Sequence, residues 1–140
     1  MIFPLRAEDY VTVMNAVAIA GTPTYSSMIS LAAPAAGDAI GHPCLSCELW
    51  INVASNGTTD DLLLEIFPAA EGLEANRGSA AKDSMILGVK SLTPFIDYWL
   101  VPWEVGFGHF QVRASRTGST DTLTTTIKAR RFRLVDGRGS

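Results

Sequence analysis

Hydrophobic residues in this chain recur at every second position, and that period decides what it can fold into. Successive side chains on a strand point to opposite faces of a sheet, whereas a helix returns to the same face every 3.6 residues. In residues 47–53, Cys47, Leu49, Ile51 and Val53 share one parity, and Glu48, Trp50 and Asn52 share the other. Leu62, Leu64 and Ile66 alternate with Leu63, Glu65 and Phe67, a run apolar enough for burial on both faces. Met85, Leu87 and Val89 follow the same rule, as do Ile96, Tyr98 and Leu100, and then Phe110, Val112 and Ala114. The runs are rich in β-branched and aromatic residues and are bounded by turn formers, which is the strand signature.

The punctuation between the runs sets the connections. Ser55-Asn56-Gly57 predicts a hairpin or loop, because Asn and Gly tolerate positive φ. Thr117-Gly118-Ser119-Thr120-Asp121 predicts a second hairpin, closing two long strands. Thr93-Pro94 and Val101-Pro102 mark edge positions or bends, since proline cannot donate to a ladder. Residues 70–82, with Gly72, Gly78 and several alanines, read as a surface loop with one helical turn. In the last strand Leu123, Thr125, Ile127 and Ala129 share one parity but Phe132 and Leu134 the other, so a β-bulge is expected near Arg130-Arg131. No internal repeat and no domain linker stand out. Residues 9–20 fit a strand or a short helix, ended by Gly21-Thr22-Pro23. With the apolar start they read as an N-terminal arm over 1–24, leading into a strand at 25–31. The expected fold is all-β: an antiparallel β-sandwich of jelly-roll type over 25–140, with an extended N-terminal arm.

Composition narrows the function. The chain has 140 residues, enough for one domain with its own core. Charged residues make up 18%, against a usual value of about 25%, which leaves little to keep the surface solitary. The charges are also uneven. Residues 1–110 carry 4 basic and 12 acidic side chains; residues 111–140 carry 7 basic and 2 acidic. Two readings follow: a basic last strand pairs with acidic neighbours in its own sheet, or its arginines face a negatively charged partner. A net charge of −3 argues against nucleic acid as the main partner, so no direct contact with it is expected. No apolar run of 18 residues exists, so no membrane helix is expected. Residues 1–9 lack the basic start of a secretory signal.

Chemistry-bearing motifs are sparse. Cys44-Leu45-Ser46-Cys47 has the spacing of half a zinc site, with His42 before it and His109 far away, but the second ligand pair is missing. Two buried thiols are expected, with zinc or a redox pair as the alternatives, and no cofactor or metal is assigned. There is no G-x-S-x-G elbow, Walker A motif, dinucleotide fingerprint or H-E-x-x-H. Asp60, Asp61 and Glu65 do not form an EF-hand, and Asp60, Asp61, Glu71 and Glu74 have no spacing that favours glycoside hydrolysis. The reading is therefore not an enzyme. Phe95, Tyr98, Trp99, Trp103, Phe107 and Phe110 fall within sixteen residues, and Trp50 has outward parity. Such aromatics suit a core with a subunit interface; they also suit stacking on sugars, so a carbohydrate-binding module is the alternative.

The order of segments resembles a known family. An apolar start precedes Tyr25-Ser26-Ser27-Met28-Ile29-Ser30-Leu31; then Gly37-Asp38-Ala39-Ile40-Gly41-His42-Pro43-Cys44-Leu45 leads into the strand at 48–53. Leu62-Leu63-Leu64-Glu65-Ile66, a proline-marked strand and the segments 110–115 and 122–134 complete it. This resembles the small jelly-roll cement, or decoration, proteins of tailed-bacteriophage capsids. Those proteins share an Asp-x-Ile-Gly-x-x-Pro-Leu type of passage before a strand; here it is Asp38-Ala39-Ile40-Gly41-His42-Pro43-Cys44-Leu45. The resemblance implies a structural virion protein on the outer capsid surface, made in the host cytoplasm. It would be a homotrimer at local threefold positions, bridging major capsid protein subunits. Candidate assembly contacts are Ile2, Phe3, Pro4, Leu5, Arg6 and Tyr10 in the arm, Trp50, Trp99 and Trp103 among the aromatics, and Arg130, Arg131 and Arg133 in the last strand. The arm would pack by apolar and backbone contacts, and the arginines would pair with acidic capsid loops or adjacent protomers.

Overall fold

The period-2 runs become strands of two packed antiparallel sheets. The computed structural model describes residues 5–32, 44–88, 93–106 and 108–134. The first sheet centres on two twelve-residue strands, β5 (Cys44–Ser55) and β10 (Leu123–Leu134), with β8 (Phe95–Pro102) beyond β5. On the other side of β10 lie β1 (Leu5–Ala7) and β2 (Val11–Ile19), end to end. The second sheet runs from β7 (Asp83–Leu87) through β6 (Leu62–Pro68) to β9 (His109–Arg116). Beyond β9 lie β3 (Thr24–Tyr25) and β4 (Ile29–Ser30), again end to end.

The pairings nest. The β2 strand pairs with β10, β3 and β4 with β9, β5 with β8, and β6 with β7. In addition, β10 pairs with β5 and β9 with β6. The expected inward parity holds: Cys47, Leu49, Ile51 and Val53 of β5, Leu62, Leu64 and Ile66 of β6, and Phe110, Val112 and Ala114 of β9 are fully buried between the sheets. Burying a Leu, Ile or Phe side chain contributes about 1.5–3 kcal/mol, so these rows are the main favourable term in folding.

Four expectations change. Residues 5–19 do not extend away as an arm: β1 and β2 are built into the first sheet, and Met14 and Ile19 reach the core. The strand expected at 25–31 is split into β3 and β4, because Ser26 turns its hydroxyl and amide to the backbone of Val112, at 3.0 and 2.8 Å. The bulge expected near Arg130-Arg131 lies instead on the neighbouring strand. Register between β10 and β5 is continuous as far as Phe132 opposite Ser46, then shifts to Arg133 opposite Cys44, leaving Leu45 extra and exposed. That one residue turns Cys44 to the same buried face as Cys47. Two further irregularities in β2 explain why consecutive residues Val13 and Met14 are both buried.

The fourth change is the final connection. The β9 and β10 strands do not form a hairpin; they lie in different sheets, as do β5 and β6. Both links cross the sandwich and are locked to each other. Asp121 Oδ2 accepts the amides of Thr59 and Asp60, at 2.7 and 2.8 Å, and Asp60 Oδ2 accepts those of Thr120 and Asp121, at 2.9 and 2.8 Å. Both aspartates are buried, at 2% and 3% exposure. Each carboxylate occupies the space that a side chain would need in the opposite loop: a Cβ on Gly57 would meet Asp121 Oδ1 at 2.1 Å, and one on Gly118 would meet Asp60 Oδ1 at 2.1 Å. The segments Gly57-Thr58-Thr59-Asp60 and Gly118-Ser119-Thr120-Asp121 are thus a short repeated device.

Asp121→Ala strands two amides at this crossing, and hydrogen bonds to charged groups contribute about 1.5–3 kcal/mol each. Urea unfolding should show a loss of about 2–4 kcal/mol, while Thr58→Ala in the same loop should stay within about 0.5 kcal/mol. The amides of Asp121 and then Thr120 hold the Asp60 carboxyl below its ordinary pKa of 3.8. A depressed carboxylate stabilises the fold above its unfolded pKa, and that stability drains as pH falls through the lower folded value. Acid titration should therefore show a loss of stability starting near pH 4 and continuing below it, reduced in Asp60→Asn.

Candidate functional site

The outward parity of the first sheet gathers most of the exposed aromatic and apolar side chains of β5, β8 and β10. Trp50 on β5 lies opposite Tyr98 on β8 and Lys128 on β10, and the Lys128 ammonium sits 5.1 Å from the Trp50 ring. One row further on, Glu48 lies opposite Leu100 and Arg130. Ile96, Tyr98 and Leu100 alternate along β8 with 50%, 56% and 59% of their surface exposed. Their parity follows from the inward-facing run of β5, which fixes the opposite parity outward.

Tyr10, from the link between β1 and β2, joins this face. Its hydroxyl donates to Glu48 Oε1, and the Arg130 guanidinium lies 4.8 Å from its ring and 5.3 Å from that of Phe132. Arg130 Nε donates to the same Glu48 oxygen at 3.1 Å. The Tyr10 phenol is pushed up to about 12, first by desolvation and then by the Glu48 carboxylate, while the Tyr10 hydroxyl and then Arg130 hold the Glu48 carboxyl down. Glu48 is therefore held in its anionic form, and with Tyr10 and Arg130 it makes a charge-balanced cluster beside the apolar strip.

The structure brings together Tyr10, Trp50 and Arg130 and separates the others. Trp99 takes the inward parity of β8 and packs against the core. Trp103 lies past the end of β8 on a short helix, Trp103–Gly106, 39% exposed, where a side chain on Gly108 would meet its ring at 3.1 Å. Arg131 takes the opposite parity from Arg130. It forms a half-buried ion pair with Glu8, and its Nη1 donates to the carbonyl of Ser30 at 2.9 Å. Arg6 is exposed opposite Arg133 in the β1–β10 register. Ile2, Phe3 and Pro4 lie outside the described residues, as do the Leu5 side chain, His42 and Phe107.

Of the two readings of the basic end, pairing inside the chain is what its geometry displays. Arg113 pairs with Glu65 at 2.7 Å, Arg130 with Glu48 and Arg131 with Glu8. Arg113 also stacks 4.6 Å from the Phe67 ring, and Arg77 lies 3.5 Å over Tyr25, tying residues of the 69–82 connection to the second sheet. Sequence reasoning missed Ile96, Tyr98 and Leu100 as surface residues. Their alternation was visible, but the side that would be covered was not.

Cys44 and Cys47 are buried thiols, and desolvation pushes Cys47 up to about 12. Among the described residues no three His, Cys, Asp or Glu side chains cluster in a way that could hold a metal ion, and no helix is long and apolar enough to cross a membrane. An open cleft of about 230 Å³ lies between β2 and β4, walled by Val11, Val13, Met28 and Ile29 and closed at one side by the Glu8–Arg131 pair. No known family model matches the chain, and no characterised protein matches it at a significant level.

With its thiolate this disfavoured, Cys47 should resist a thiol reagent such as dithionitrobenzoate at pH 8 in the folded protein and react in denaturant. Rapid native labelling at Cys47 would contradict the burial described here.

Proposed function

We propose that this chain is a structural protein that decorates the outer surface of a tailed-bacteriophage capsid and bridges major capsid protein subunits, with no enzymatic role. The observation that carries the reading is the outward face of the first sheet. Ile96, Tyr98 and Leu100 form an exposed strip beside the half-buried Trp50 on a chain poor in charge, and soluble monomers rarely leave contiguous apolar patches uncovered. The nested strand order supports a jelly roll, the sandwich made by rolling up a long hairpin. The segment order described above adds the resemblance to cement proteins. On a repeated lattice such contacts reinforce one another through effective concentration, and a homotrimer at local threefold positions would use this multiplicity.

The β1 strand suits a scaffold for the residues before it. It is three residues long and holds the chain beside the end of β10. Residues 1–4 would then reach a neighbouring subunit. A second reading, binding of carbohydrate, draws on Trp50 and Tyr98 lying side by side across two strands, a platform on which a sugar ring can stack.

Co-sedimentation with undecorated shells of the phage that encodes the chain should show saturable binding. Removal of residues 1–4 should weaken occupancy at least tenfold while leaving the melting temperature within a few degrees. A stable monomer that ignores shells removes the capsid reading. If that protein instead gives a glycan-array signal lost in Trp50→Ala, the carbohydrate reading replaces it.

A further inference from the structure

A sheet edge exposes unpaired backbone donors and acceptors, and proteins usually shorten, bend or cover such edges. Among the described residues, three of the four edges are shortened or bent in that way. The β2 strand carries two register irregularities and a positive φ of 48° at Ala16. The β3 and β4 strands have two residues each. The β7 strand has only five. By contrast β8 is eight residues long, and its register with β5 is unbroken from Pro102 opposite Ser46 to Phe95 opposite Val53. Among the described residues it pairs with β5 alone.

The Tyr98 amide identifies the open side. It donates to Asp97 Oδ1 at 2.8 Å and so points away from β5. By the alternation of an antiparallel ladder, the amides and carbonyls of Ile96 and Leu100 point the same way. The edge therefore offers a row of backbone groups, an apolar outward face and one charge, Asp97, among eight residues.

That charge selects the occupant. A second copy paired about Tyr98 would bring its own Asp97 to a diagonal position roughly 7–8 Å away and displace both carboxylates from their amides. A strand with a basic side chain near Asp97 reverses this. Its carbonyl takes the Tyr98 amide while the released carboxylate pairs with the cation. We propose that the open edge of β8 receives an extended segment of the capsid subunit as an added strand, carrying a basic side chain opposite Asp97; this rests on the capsid reading above. Added strands take affinity from main-chain hydrogen bonds and specificity from alternate side chains, here meeting Ile96, Tyr98 and Leu100.

Two variants and the wild type test this on undecorated shells, with mass in solution measured by light scattering. Tyr98→Pro removes an amide that β5 does not use, and an edge strand tolerates proline at such a position. Asp97→Lys leaves the backbone intact and reverses the charge. Both should lose at least tenfold in occupancy, with melting temperatures close to wild type. If Tyr98→Pro fails to fold, Asp97→Lys alone decides. Wild-type binding with both variants equal to it would overturn the β8 inference and leave the capsid reading standing. A wild-type dimer in solution that Tyr98→Pro abolishes would overturn it in favour of a second copy. A wild type that ignores shells removes both proposals.

Discussion

Two buried aspartates hold the point on which the sandwich turns. The chain passes from the first sheet to the second at 56–61 and from the second to the first at 117–122, and these two crossings carry backbone amides into the interior. A buried amide without a partner costs free energy comparable to a lost hydrogen bond. Asp60 and Asp121 meet that demand reciprocally, each serving the other's loop, and the two glycines leave room for the carboxylates. Around the crossing, Thr117 and Asp61 exchange further bonds, as do Asn56 and Thr122. With the crossings fixed, β5 and β10 lie side by side over eleven paired positions, and β1, β2 and β8 add to their outer edges.

The outward face of the first sheet follows from the same constraint. Because Cys47, Leu49, Ile51 and Val53 must face the core, Glu48, Trp50 and Asn52 must face out, and β8 carries Ile96, Tyr98 and Leu100 out beside them. The charges on this face are engaged with each other, Glu48 with both Tyr10 and Arg130. What is left for a partner is apolar surface and a strand edge. That division explains how a chain with only 18% charged residues can use its arginines internally and still leave an apolar outward face on the first sheet.

Much of the fold was legible in parity alone. The buried rows of β5, β6, β9 and the first part of β10 read directly from alternation, since alternation reports burial. Connectivity was harder. Thr117-Gly118-Ser119-Thr120-Asp121 looks like a hairpin turn because turn residues are chosen for local φ and ψ, whereas the sheet crossing depends on Asp60, 61 positions away. The repeat of Gly-x-Thr-Asp at 57–60 and 118–121 was the available signal. The bulge went to the wrong strand for a related reason: a change of parity in β10 does not say which strand carries the extra residue, and Leu45 does. The basic end was visible as composition, but only three dimensions reveal that Arg130 and Arg131 face opposite ways, toward Glu48 and Glu8.

Amide hydrogen exchange of the chain, alone and on capsid shells, reads the outward face and the edge of β8 residue by residue. Protection on shells should rise at Ile96, Tyr98 and Leu100 and across the outward face around Trp50, with the crossing at Asp60 and Asp121 already protected in both states. Shell-bound protein with unchanged exchange along β8, and new protection confined to the opposite sheet, would contradict it.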